Sequence, residues 1–143
     1  MKRTIFIILI ILGVVAIASY FSQFFDESID ITPSDNSKVI VVASPIKDSE
    51  ITSPLSVAGR ARGNWFFEAS FPIVLVDSYG NVISESHATA QGEWMTEDFV
   101  KFVGVLEFSN FIKGSKGKLI LKKDNPSGLP EHDDSVEIPI VFK

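Results

Sequence analysis

The stretch SPLSVAGRARGNWFFEASFPIVLVDSYGNVI, residues 53–83, decides the fold class of this chain. Its first part, residues 55–62, alternates apolar and polar side chains, which is typical of a strand with one buried face. Residues 69–77 are apolar almost without interruption and predict a central strand that is covered on both faces. The turn residues after them return the chain into a partner strand over residues 81–90. The stretch therefore predicts a β-hairpin preceded by one more strand.

Further strands are predicted on both sides of this stretch, at residues 38–43, 100–108, 118–123 and 136–142. The lysines that flank residues 118–123 favour an edge strand, because lysine discourages pairing with another chain. About seven strands with no convincing helix predict an all-β domain, and the leading architecture is an immunoglobulin-like β-sandwich. The chain has no cysteine, so the disulfide that often joins the two sheets is excluded. We assign this domain to residues 38–143.

An apolar segment behind Lys2 and Arg3 fills most of residues 1–25. A membrane-spanning helix needs ~20 apolar residues, which this segment supplies. The positive-inside rule then predicts a single-pass protein of the cell membrane with its β domain outside the cytoplasm, on a flexible linker of residues 26–37. The alternative is a signal peptide that is cleaved after Ala18, where small residues fit a processing site. In that case the domain is secreted.

Composition excludes several functional classes. The formal net charge is −5, and nucleic-acid binding requires a concentrated basic surface, so no nucleic-acid partner is expected. The lack of cysteine excludes thiol catalysis and cysteine-ligated zinc. Neither a glycine-rich phosphate loop nor a G-x-S-x-G nucleophile turn is present. The sequence therefore predicts no enzyme and no cofactor.

The cluster Trp65-Phe66-Phe67-Glu68 is the most pointed candidate for a binding surface. Strand alternation does not place Trp65 and Phe66 both inside, so we expect at least one of these rings near the surface, where it would contact a protein or a glycan. Arg62 precedes them and is a third candidate. The alternative is that Phe67, with or without Phe66, belongs to the core and that Glu68 pairs with an arginine.

Two further segments between strands carry candidate residues. Trp94 is a possible partner-binding residue, with the alternative that it caps one end of the sandwich. Residues 124–134 are dense in oxygen ligands, and Ca²⁺ takes six to eight of them. Asp124, Asp133 and Asp134 are weak metal candidates, because their spacing does not match an EF-hand loop. We expect a turn-rich loop without a metal.

The order of several short motifs resembles a known family. These are SP at 44–45, the stretch 53–83, GEWMTEDFVKFVGVLEF at 92–108 and KKDNPSGLPEHDDSVEIPI at 122–140. Together they resemble the Gmad2 family, the immunoglobulin-like domain named for bacterial spore germination proteins, over roughly residues 39–142. The resemblance implies an extracytoplasmic protein of the bacterial envelope, often with a signal or anchor. It also implies a structural or interaction module without established enzymatic activity.

Taken together, these patterns predict a non-enzymatic, membrane-tethered envelope module that mediates protein–protein interaction or assembly. The first alternative is a module that binds glycans of the cell wall, with peptidoglycan as partner. The second is an enzyme whose site follows no recognised motif. The sequence does not identify the partner.

Overall fold

The computed structural model describes residues 38–143, which form eight β-strands and no α-helix. The predicted anchor (1–25) and linker (26–37) lie outside the described residues. Within residues 38–143, no helix is long and apolar enough to cross a membrane. The strands are β1 (Ile40–Ser44), β2 (Ser49–Ile51), β3 (Leu55–Arg62), β4 (Ser70–Asp77), β5 (Val82–Ala90), β6 (Phe99–Leu106), β7 (Lys116–Lys122) and β8 (Ser135–Phe142).

The strands follow one another in the order β1-β3-β6-β5-β4-β7-β8-β2. All neighbouring strands are antiparallel except β2 and β8, which are parallel. β5 pairs with β4 along most of its length but reaches β6 only through residues 88–90. The sheet therefore turns at the end of β5, so that β1, β3 and β6 form one layer and β5, β4, β7, β8 and β2 form the other. This division matches the two sheets of an immunoglobulin-like sandwich.

The core lies between these layers and is built by alternation along the strands. In β3 and β6 every second residue points inward, so that Val57, Ala61 and Phe102 are buried while their neighbours reach solvent. The two layers meet where Phe71 of β4 packs edge-on against Phe102 of β6, with ring centroids 4.9 Å apart. Among the described residues the buried side chains of the core are all apolar. The all-β prediction is confirmed, and the layers are halves of one curled sheet.

Two details of the sheet differ from the prediction. β7 is not an edge strand, because it lies between β4 and β8. Its lysines occupy the solvent-facing positions of an interior strand, and Lys118 forms a cross-strand ion pair of 2.6 Å with Glu137 of β8. The eighth strand, β2, was not predicted. It has three residues, which are too few for a pattern of alternation, and it forms only through its pairing with β8.

Candidate interaction surface

Three loops meet at one end of the domain: residues 63–69, 91–98 and 123–134. The strand register brings them together through the terminal pairs Arg62–Phe99, Ser70–Thr89 and Lys122–Ser135. Backbone hydrogen bonds then join the loops. The N–H of Gly63 donates to the carbonyl of Asp98 at 3.3 Å, and the N–H of Asp124 donates to the carbonyl of Trp65 at 3.1 Å. We call this assembly the loop end.

Trp65 and Phe66 both point into the core, so the expectation that at least one ring lies near the surface is wrong. Their exposed fractions are 1% and 4%. The chain forms a 3-10 turn at Gly63–Trp65, so strand alternation does not apply there. Both rings contact Phe71, at centroid distances of 5.8 and 5.3 Å. Phe67 is instead the exposed ring, with 42% of its surface accessible.

A tight reversal at Glu68 and Ala69 accounts for the position of Phe67. Both residues have a positive φ, 48° for Glu68 and 63° for Ala69. Phe67 and Ser70 exchange two backbone hydrogen bonds of 3.0 and 3.1 Å across the reversal. Two central residues with positive φ define a type I′ turn, which normally favours Asn and Gly. The turn therefore holds Phe67 in place with two residues that are poorly suited to this conformation.

The loop 91–98 packs directly on the start of the first loop. A side chain at Gly63 would collide with the carbonyl oxygens of Trp94 and Thr96, so only glycine permits this approach. Arg62 secures it further by donating from Nη1 to the carbonyl of Glu97 at 3.2 Å. Trp94 is partly buried and packs against the core, as expected of a cap at the end of the sandwich. The predicted residues Arg62 and Trp94 therefore support the same pair of loops.

The loop 123–134 is organised by its own polar side chains. Asn125 donates from Nδ2 to the carboxylate of Asp133 at 2.7 Å and to the carbonyl of Leu129 at 2.8 Å. Asp134 accepts from the N–H of Ser135 at 2.8 Å. Across residues 38–143, no three acidic or histidine side chains are grouped so that they could hold a metal ion. The weak metal candidates Asp124, Asp133 and Asp134 lie in this hydrogen-bonded loop, and their role in metal binding stays a prediction.

The exposed surface of the loop end combines apolar and acidic side chains. Phe67, Met95 and Leu129 are 42%, 74% and 48% exposed. The acidic residues of the three loops are Glu68, Glu93, Glu97, Asp98, Asp124, Glu131, Asp133 and Asp134. Sequence patterns pointed to the two buried rings and missed Phe67, because which ring of the aromatic cluster turns outward depends on the reversal at Glu68 and Ala69. Met95 and Leu129 were missed because they lie in loops, where strand alternation does not predict exposure.

Comparison with known proteins identifies the domain but offers no close relative. No curated protein and no solved structure matches the chain. A family model does match, that of Gmad2, described as the immunoglobulin-like domain of bacterial spore germination, over residues 39–128. The match runs from the residue before β1 into the loop after β7, and so includes most of the strands described above. Because it covers more than half of the sequence, the chain belongs to the Gmad2 family.

Proposed function

We propose that this chain is a membrane-tethered interaction module of the bacterial cell envelope and that its loop end binds a protein partner. Membership of an immunoglobulin-like family supports an interaction role, since such domains are generally non-catalytic. The apolar residues 1–25 and the polar residues 26–37 support a tethered, extracytoplasmic position. The observation that carries the proposal is the display of Phe67, Met95 and Leu129 on interlocked loops at one end.

The character of this surface favours a protein over a glycan. Sugar binding commonly uses a platform of several exposed aromatic faces, whereas the loop end exposes the single ring of Phe67, since Trp65 and Phe66 are buried and Trp94 is partly covered. Protein interfaces, by contrast, concentrate aromatic residues and methionine at their centre and place charged groups at the rim. Exposed Phe67 and Met95 among acidic side chains fit this description. The acidic rim indicates a partner with a basic border around an apolar contact.

Site-specific photo-crosslinking in native membranes tests this proposal. A photoreactive phenylalanine analogue replaces Phe67 or Met95 in the full chain, and the matched control replaces Tyr79. Tyr79 is 86% exposed in the turn between β4 and β5, at the opposite end of the domain. We expect a discrete protein adduct from the two loop positions and none from the control. Adducts of equal yield at all three positions, or none at any, would contradict a partner at the loop end.

The tether and the glycan alternative need separate measurements. Protease added outside intact spheroplasts should digest the domain, while the mass of the membrane-bound chain should include residues 1–18. A mature chain that begins after Ala18 would show that the segment is a cleaved signal peptide and that the domain is secreted. Cosedimentation of the chain with purified peptidoglycan at low salt should leave it in the supernatant, whereas saturable binding would favour the glycan role.

A further inference from the structure

A cationic face lies on the outer side of β3 and β6, next to the loop end. Arg60 and Arg62 point outward from β3, since the alternate residues Gly59 and Ala61 face the core. The register places Lys101 of β6 directly opposite Arg60 and places Phe99 opposite Arg62. Three cationic side chains therefore occupy neighbouring positions on one surface.

Phe99 holds the two arginines beside each other. The guanidinium carbon of Arg62 lies 4.2 Å from the centroid of the Phe99 ring, and that of Arg60 lies 4.8 Å from it. Both contacts are within the range of cation–π attraction. Stacking restricts the arginine side chains while leaving N–H groups at their edges available to an acceptor. The face is therefore ordered before any ligand arrives.

This arrangement departs from what stability alone would favour. Like charges directly opposite each other on neighbouring strands are destabilising. In the part of the chain that the structure describes, the ion pairs are Lys118–Glu137 and Lys143–Glu50, so none involves Arg60, Arg62 or Lys101. The Nε atom of Arg60 is also buried without a hydrogen-bond partner. A buried donor that lacks a partner is destabilising.

We propose that the cationic face formed by Arg60, Arg62, Phe99 and Lys101 binds a phosphate group. Guanidinium groups match phosphate oxygens in geometry and form charge-assisted hydrogen bonds with them. A tetrahedral phosphate also presents oxygens in several directions, as three separate cations require, whereas a carboxylate presents two oxygens in one plane. This inference does not depend on a protein partner at the loop end.

The residues around the cationic face favour a ligand with a single phosphate group. Glu97 and Asp98 lie in the adjoining loop, where Arg62 bonds the carbonyl of Glu97, so an extended polyanion would meet repulsion beyond the three cations. On the other side, Val103 and Val105 of β6 are 46% and 51% exposed. A phosphate attached to an apolar or neutral group would fit this face, with the phosphate at the three cations and the attached group over the two valines. Anionic phospholipid headgroups and small soluble phosphates share this chemistry.

Nuclear magnetic resonance of the arginine side chains tests the site directly, because the chain has three arginines, Arg3, Arg60 and Arg62. The full chain, with isotopically labelled arginine, is held in a phosphate-free maltoside detergent and titrated with inorganic phosphate or with acetate at equal ionic strength. We expect the Nε–H signals of Arg60 and Arg62 to shift and saturate with phosphate but not with acetate. Shifts that rise without saturation, or that are equal for the two anions, would overturn the proposal.

Substitution of Lys101 separates a built site from general charge attraction. Lys101→Gln should raise the half-saturating phosphate concentration about three- to fivefold, the effect of one partly screened charge contact. The control Lys116→Gln removes an exposed lysine from β7 in the other layer and should leave that concentration unchanged. Equal effects of the two substitutions would refute the site.

Phosphatidylglycerol added to the micelles identifies the source of the phosphate. If the ligand is a lipid headgroup, the lipid should saturate the Arg60 signal at a concentration at least about tenfold below that of inorganic phosphate, as added apolar contact at the valines predicts. If the ligand is soluble, inorganic phosphate should saturate the signal and the lipid should leave it unchanged. Failure of inorganic phosphate to saturate the signal would overturn the site, whatever the lipid does and whatever the outcome of the crosslinking at Phe67.

Discussion

The substitution Ala69→Gly should stabilise the domain, although glycine usually weakens a fold. Ala69 has a φ of 63° in the reversal that follows Phe67. A residue with a Cβ atom pays about 1–2 kcal/mol in this left-handed conformation, and glycine does not. Glycine loses about 0.5–1 kcal/mol more in backbone entropy on folding. The difference predicts a gain of roughly 0.5–1 kcal/mol, or a melting temperature higher by about 2–6 °C.

Urea denaturation of the fragment 36–143, which forms a compact unit with its own core, measures this effect. Gly128 supplies a reciprocal control, since it has a φ of 66° and open space where a Cβ atom would lie. Gly128→Ala should lower stability by about as much as Ala69→Gly raises it. If Gly128→Ala destabilises as expected while Ala69→Gly is neutral or destabilising, the reversal at Glu68 and Ala69 does not exist in solution as described.

Three further predictions use the same fragment. Trp65→Ala should destabilise it by about 3–5 kcal/mol because it empties part of the core, whereas Phe67→Ala should change its stability by less than about 1 kcal/mol; urea midpoints compare the two. Lys101→Glu should raise stability by about 0.5–1 kcal/mol, since it places opposite charges across the strands, and it should abolish the phosphate-dependent shifts. Hydrogen bonds from the side chain of Asn81, and from the backbone N–H groups of the same turn, hold the pKa of Asp77 below its ordinary value. The ionised Asp77 therefore stabilises the folded state at pH values above its ordinary pKa, and this stabilisation is lost as the pH falls through the lowered pKa. Asn81→Ala should raise the pKa of Asp77 measured by NMR, so that the stabilisation is lost at a higher pH.

Local patterns predicted the strands whose burial either alternates regularly or persists along the chain. β3 was predicted with its observed limits, because Val57 and Ala61 face the core while Arg60 and Arg62 face solvent. β4 was predicted as a central strand, since Val74 on its outer face is almost as buried as the inner residues. In these elements burial alternates or persists along the chain itself, so neighbours in the sequence carry the information.

Features that depend on distant parts of the chain were not predictable in this way. β2 exists because Ser49–Ile51 lies beside β8, which comes from the end of the chain. The interior position of β7 follows from strand order and not from its lysines. Arg62 was singled out from the sequence, but its association with Phe99 and the opposition of Arg60 and Lys101 arise from the register between β3 and β6. A sequence pattern does not report cross-strand neighbours.

The placement of the first and last strands has a mechanical consequence. β1 enters beside Ala61 at the loop end, and β8 leaves at the opposite end, beside Lys116. A pulling force on the two ends of residues 38–143 therefore acts along the strand axes and loads the β1–β3 and β7–β8 ladders in shear. In shear the hydrogen bonds of a ladder share the load and must break together, whereas peeling would break them one by one. A domain whose first and last strands leave at opposite ends is suited to hold its shape under tension applied along its strands.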